Sequence, residues 1–379
     1  MKTNITDCIH KPLNGWKVIS INLNLDNPVT GGEIYNYQVV RSLVDSGAQL
    51  KTINFPIPRG ASLMKWCCFA LPWGWLLDLL SLFTKSIVIT DGCFAPLLFL
   101  QFILLRIFSP VRLIVLNHHS SASSRKNPFI KFGFWISERL LLRCGHIIFL
   151  SSRRTFEELG MKSINWKVYY VPPAISIKPR YVDRRKRKRD YIKLLFVGYL
   201  FKRKGLHLLI DSLAYCKDFD WQLQIIGDGS YSPAYSDYCR RKVESLGFSD
   251  RIKFLGFLES EQLEEEYIDA DLFILPSEQE GYGVVYVEAS SFALPIITTE
   301  VGLIGDILIP GDSVYTVPFD DVNALADAIR KLAKDKALRI RLGENAYYRV
   351  DYTYRIEAMY QRASAILLKA LLKYKKRLD

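Results

Sequence analysis

The sequence predicts an α/β protein made of two doubly wound parallel sheets. Three observations carry that expectation. At 379 residues the chain is too long for one ordinary hydrophobic core. Short apolar runs alternate with amphipathic stretches in both halves, the pattern of a parallel sheet covered by helices on both faces. The alternation stops once, at Pro172-Pro173 and the run Arg184-Arg185-Lys186-Arg187-Lys188-Arg189, and then restarts.

In the first half, strands are expected at Lys17 to Leu23, Gln49 to Phe55, Ser86 to Thr90, Arg112 to Asn117, His146 to Ser151 and Lys167 to Val171. Helices are expected at Glu33 to Ser46, Phe94 to Phe108, Pro128 to Arg143 and Ser152 to Leu159. The basic run should be an exposed linker, because so many like charges in a row resist packing together. In the second half, strands are expected at Lys193 to Val197, Gln222 to Ile226, Ile252 to Leu255, Asp271 to Leu275 and Pro295 to Thr299. Helices should fill Lys204 to Cys216, Ala234 to Leu246, Glu261 to Ile268, Gly283 to Phe292 and Asp321 to Lys334. This divides the chain into 1–180, a linker at 181–192, 193–352, and a final helix at 353–379 that is long enough to pack back on the first half.

Hydrophobic content of 49% and aromatic content of 13% suffice for packed cores and exclude a disordered chain. The net charge of +12 favours anionic partners. The basic run lacks interleaved aromatics and a recognition element, so nucleic acid is not expected, and an anionic membrane surface is the better fit. Seven scattered cysteines without pairing rhythm or metal spacing point to a reducing, cytoplasmic compartment. The first sixteen residues carry no apolar stretch of the secretory kind. Two greasy segments, Trp66 to Phe83 and Phe94 to Phe108, are interrupted by Asp78 and Arg106. Both fall short of the ~20 apolar residues of a spanning helix. Core burial is the plainer reading, although either could dip into a bilayer from a peripheral position.

The richest stretch is Ser277-Glu278-Gln279-Glu280-Gly281-Tyr282-Gly283, which lies between an apolar strand and a helix carrying Glu288. Free amides and the positive end of a helix dipole sit between two carboxylates, which suits a phosphate beside hydroxyl groups. A carboxylate accepts two hydroxyls at once, so Glu280 fits a sugar and Glu288 a ribose diol. A solvated acidic turn is the plain alternative. Lys202-Arg203-Lys204-Gly205 follows another strand and could neutralise a departing diphosphate. Gly31-Gly32 stands between the first strand and helix, where glycine lets a ligand approach the backbone. His118-His119-Ser120-Ser121 follows a strand, and an imidazole there could meet a sugar hydroxyl. His10, His146 and His207 read as structural. Asp218-x-Asp220 and Asp269-x-Asp271 precede strands, so they read as solvated loop acids and not as metal ligands.

Phe196-Val197-Gly198, Lys204-Gly205, Ile226-Gly227-Asp228-Gly229, Phe254-Leu255-Gly256-Phe257, Leu275-Pro276-Ser277, Glu280-x7-Glu288, Leu294-Pro295 and Val301-Gly302 together resemble retaining glycosyltransferase family 4, group 1. The resemblance is close from Lys193 to Leu332 and looser before. It implies the GT-B fold, with two Rossmann-like domains facing across a cleft. It implies transfer of a hexosyl group from a UDP-, GDP- or ADP-sugar to a glycan or lipid-linked acceptor, with retention at the anomeric carbon. No metal and no resident cofactor are implied, and polysaccharide or glycolipid biosynthesis is the setting. By the same resemblance His119, Glu280 and Lys204 are catalytic. Gly31, Gly32, Arg203, Gly256, Gly281, Tyr282, Gly283 and Glu288 would bind the donor, with His118 the less favoured histidine. Tyr199, Ala293 and Leu303 depart from the family pattern. Those departures motivate the alternative of a catalytically silent scaffold that binds nucleotide sugar. An epimerase or phosphorylase on the same fold is a third reading.

Overall fold

The computed structural model describes residues 16–21, 25–26, 31–53, 86–94, 102–103, 106–107, 112–117, 127–160, 167–171, 173, 177, 179–350 and 365–366. Two compact units divide the chain between Ala174 and Ile175, and the second runs Ile175–Ile356. The expected final helix at 353–379 lies outside the described residues, apart from 365–366. So does the greasy segment at 66–83, and so does most of that at 94–108. Among the described residues no helix is long and apolar enough to cross a membrane.

The first unit holds β1 (Lys17–Ile21), α1 (Gly31–Asp45), β2 (Gln49–Ile53), β3 (Ser86–Asp91), β4 (Arg112–Asn117), α2 (Pro128–Cys144), β5 (Ile147–Leu150), α3 (Arg153–Leu159) and β6 (Val168–Tyr170). All strand pairs are parallel, in the order β2-β1-β3-β4-β5-β6. β3 and β5 are buried along their whole length, as apolar runs within a parallel sheet must be. β2, with Gln49, Lys51 and Thr52, is the exposed edge. α3 starts where Ser152 Oγ accepts the Thr155 amide, and it stops at Gly160 in the left-handed region.

The second unit holds β7 (Ile192–Val197), α4 (Leu206–Leu213), β8 (Trp221–Ile226), α5 (Pro233–Ser245), β9 (Ile252–Gly256), α6 (Ser260–Asp269), β10 (Leu272–Leu275), α7 (Val284–Ser291), β11 (Ile296–Thr298), β12 (Tyr315–Thr316), α8 (Val322–Lys334) and α9 (Lys336–Val350). Its sheet is also parallel, in the order β12-β11-β10-β7-β8-β9. The chain winds outward from β7 through β8 and β9, then returns to the other side of β7 with β10. A crevice therefore opens at the carboxyl ends of β7 and β10, the place where such sheets bind ligands.

Two expectations need correction. The basic run is exposed at Arg185, Lys186, Lys188 and Arg189, as expected of a linker, but Arg184 and Arg187 are packed into the second unit. Arg184 is 8% exposed, and its guanidinium donates to the carbonyls of Tyr267 (2.7 Å), Ala270 (3.0 Å) and Phe292. Arg187 donates to the Ile268, Asp269 and Ala270 carbonyls and pairs with Asp271, and Arg189 pairs with Asp269. The like charges are tolerated because Arg184, Arg187 and Arg189 point at the carbonyl ends of α6 and α7 or at an aspartate, and Lys186 and Lys188 face solvent. For the same reason Asp269 and Asp271 are not solvated loop acids. Asp271 is buried and also accepts the Lys193 amide. The lysine turn is the second correction. Lys202–Lys204 is a separate 3-10 turn and the helix opens only at Leu206, because Gly205 takes φ 72° between them.

Candidate functional site

The site is built from the loops that leave β7 and β10. Gly205 lies so close under the end of β10 that an added Cβ would stand 2.1 Å from the Pro276 carbonyl oxygen. With positive φ as well, only glycine fits there without strain. The two loops are then stitched together. The Glu278 amide donates to the Arg203 carbonyl at 2.7 Å, and Arg203 Nη1 donates to the Gln279 carbonyl at 2.8 Å.

That stitching brings Lys204 to Glu280. Nζ donates to Oε1 at 2.5 Å, and Ser277 Oγ donates to the same oxygen at 2.7 Å. Oε2 lies 3.8 Å from Arg203 Nη1. The lysine and glutamate side chains are 10% and 6% exposed. Burial works to raise the Glu280 carboxyl, but the Lys204 and Arg203 charges and the hydrogen bonds from Lys204 and Ser277 outweigh it and hold it below the usual range. Burial, helped by Arg203, lowers Lys204 against the pull of Glu280. The result is an ion pair at the crevice, with one carboxylate oxygen committed and the other facing a half-exposed guanidinium.

Beyond Glu280 the chain passes through Gly281 and Tyr282 to Gly283, which precedes α7 at φ 88° and offers no capping side chain to its first amides. The Tyr286 amide donates back to the Gly283 carbonyl at 2.9 Å, and the Val284 and Val285 amides ahead of it are the ones the helix end offers an anion. The turn is propped from beneath. The Leu303 amide donates to the Tyr282 carbonyl at 2.9 Å, and a Cβ on Gly302 would stand 2.4 Å from that carbonyl oxygen. One turn along α7, Glu288 Oε2 accepts the Tyr267 hydroxyl at 2.9 Å. Burial pushes the Glu288 carboxyl up to about 7, and the Tyr267 bond opposes the rise only in part. A carboxylate so placed gains from further hydroxyl donors, as a vicinal diol would supply.

The structure thus brings Lys204, Arg203, Glu280, Gly281, Tyr282, Gly283 and Glu288 onto neighbouring turns of one unit. Gly256 ends β9 with φ 72° and open space about its Cα, and its carbonyl accepts the Gly227 amide at 2.7 Å. Gly31 and Gly32 are the first residues of α1 itself and not a turn ahead of it. His119, with His118, lies outside the described residues. His146 and His207 are structural as expected: His146 accepts the Leu113 amide, and His207 meets Tyr235 at 2.8 Å. Sequence reasoning assigned no role to Ser277, although it stands inside the key stretch three residues before Glu280. Tyr267 gave no local signal, since it reaches Glu288 from a different helix.

Residues 178–349 match the family model described as "Glycosyl transferases group 1". The capsular polysaccharide biosynthesis glycosyltransferase CapM of Staphylococcus aureus is 29% identical over 209 residues, 51% of this chain and 52% of that protein. A D-inositol 3-phosphate glycosyltransferase of Corynebacterium glutamicum is 35% identical over 155 residues, 40% of this chain and 37% of that protein. The chain thus aligns with about half, or less, of the length of these relatives. Among solved structures, sucrose-phosphate synthase of Thermosynechococcus elongatus superposes with a TM-score of 0.77 at 19% identity, covering 94% of this chain and 100% of that one. At that identity the likeness is one of fold: two α/β domains in the GT-B class. Over residues 178–349, which carry the Lys204–Glu280 site, the chain matches the glycosyl transferases group 1 family model.

Proposed function

We propose that the protein is a glycosyltransferase that moves a hexosyl group from a nucleotide-sugar donor to a glycan or lipid-linked acceptor, with retention and without a metal. The observation that carries the reading is the buried Lys204–Glu280 pair at the β7/β10 crevice, next to the uncapped start of α7. The diphosphate would sit on the α7 amides, with Lys204 turning to it from Glu280 and Arg203 beside it. Glu280 would then accept sugar hydroxyls, and Glu288 the ribose diol. The bond between the anomeric carbon and the diphosphate oxygen breaks, and its electron pair leaves with the phosphate. The acceptor oxygen bonds to the same face, and its proton passes to a diphosphate oxygen. The protein's part is positioning and charge stabilisation. Lysine and amides supply the positive charge, which supports metal independence. Retention and a role for His119 beside the sugar rest on the family resemblance. The capsule enzyme among the relatives supports a polysaccharide setting, and a glycolipid setting on the cytoplasmic side rests on the sequence reading.

Purified protein offered UDP-, GDP- and ADP-sugars should release nucleoside diphosphate from one of them, with full activity in EDTA. NMR of the product should show the donor's anomeric configuration. Glu280→Gln and Lys204→Ala should each abolish release while the fold is retained. Turnover in both variants would overturn the site.

A further inference from the structure

We infer that the N-terminal end of α2 is a membrane-docking element that enters the headgroup region of an anionic bilayer. Three observations on this helix, independent of the sugar site, carry it.

The first is geometric. Asn117, the last residue of β4, holds α2 through a 3.0 Å hydrogen bond from its Nδ2 to Glu138 Oε1. The helix begins at Pro128, so ten residues, or about 15 Å at 1.5 Å per residue, extend past that anchor. Residues 127–133 are exposed on every side of the helix, and Phe134 is the first buried one. A soluble helix that extends past its own core usually does so with polar residues. Here the extension reads Pro-Phe-Ile-Lys-Phe-Gly-Phe-Trp-Ile. Phe129 is 87% exposed and Phe132 61%, and Ile130, Trp135 and Ile136 are also exposed. The Phe132 and Trp135 rings stack at 5.8 Å. An apolar patch this concentrated marks a contact surface.

The second is the hydrogen-bond account of the helix end. Helix N-termini normally leave four amides for water, and burying them in lipid is costly. At this end the amides of the first helical turn are accounted for. Pro128 has no N–H, Asn127 Oδ1 accepts from Phe129 (3.0 Å) and Ile130 (3.3 Å), and the Asn127 carbonyl accepts from Lys131 at 2.9 Å. The first turn can therefore enter an apolar layer with its backbone amides paired, as a bilayer favours.

The third is charge. Among the residues of α2 the one acid, Glu138, is buried against Asn117, while Lys131 is exposed and Arg139 and Arg143 follow along the helix. Arg139 lies over Trp135 at 4.1 Å from the ring centroid. An aromatic tip with cations behind it matches anionic lipid, and the chain's +12 charge adds long-range attraction.

The test is flotation of the full chain with phosphatidylcholine vesicles, with and without 50% phosphatidylglycerol, at low and high salt. Wild type should float with the anionic vesicles and much less with the neutral ones. Phe129→Ser/Phe132→Ser should lose binding at least tenfold, and Lys131→Glu about fivefold at low salt. Both variants replace exposed residues, so circular dichroism and melting temperature should stay unchanged. Wild-type behaviour in the double variant, or no flotation of wild type, would overturn the assignment. Oligomers of wild type that become monomers in the double variant, without lipid binding, would also overturn it and make the tip a protein interface.

Discussion

Lys204 and Glu280 are 76 residues apart in sequence and 2.5 Å apart in space, and they join the loop after β7 to the loop after β10. Each was expected to face a different part of a ligand, and they hold each other in its place. That makes the pair a structural element as well as a candidate reaction centre.

Removing one member should leave a buried charge without its partner. Lys204→Met alone should cost about 3 kcal/mol of stability, and Lys204→Met/Glu280→Gln should recover most of that. Denaturant unfolding of the two single variants and the double variant checks the cycle. Nucleoside diphosphate release should fall at least ~100-fold in all three, because stability recovers and charge stabilisation does not.

The glycines should separate by what lies above them. Gly205→Ala meets the Pro276 carbonyl and a positive φ together, whereas Gly311→Ala meets a positive φ of 78° in open space. The second should cost about 1 kcal/mol and the first at least ~2 kcal/mol, with a correspondingly larger fall in melting temperature.

Arg184→Ala should be costly for a residue from a run of six cations. It strips donors from the Tyr267, Ala270 and Phe292 carbonyls, so a loss of about 3 kcal/mol is expected. Lys188→Ala, at an exposed neighbour, should stay within ~0.5 kcal/mol. Thermal melts of the two variants settle the contrast.

Glu288 sets a pH dependence. Its carboxyl is raised from 4.5 to about 7, so between those values the folded state binds the extra proton. Its contribution to stability should therefore fall as pH rises across that window. Nucleotide binding should run the other way, tightening from pH 6 to pH 8 as the carboxylate forms and accepts the ribose hydroxyls. Titration calorimetry at pH 6, 7 and 8 should show the trend in wild type and a flat response in Glu288→Gln. Tyr267→Phe should shift the midpoint upward, because it removes the one hydrogen bond that lowers it.

The strands were legible because buried parallel strands are short apolar runs bounded by turns, and β7, β8 and β10 fall within a residue of their expected bounds. The Glu280 turn was legible for a related reason: glycines, carboxylates and a strand-helix junction are local and leave a local mark. The Arg184 contacts were not legible. Their partners lie 83 to 108 residues away, and nothing near a run of cations says that carbonyl ends will gather around it. Tyr267 was hidden in the same way, and the Lys204–Glu280 bond could be read only as two separate charges.

The arginine clasp moves the place where this polypeptide can be cut. A fragment begun at the first strand of the second sheet, Ile192, would lack the guanidinium groups that close the carbonyl ends of α6 and α7, and should be recovered as insoluble material. One begun at Ile175 keeps them and should be recoverable as an autonomously folded body. Truncation at those two points, read by yield and by cooperative melting, turns a buried side chain into a boundary marker.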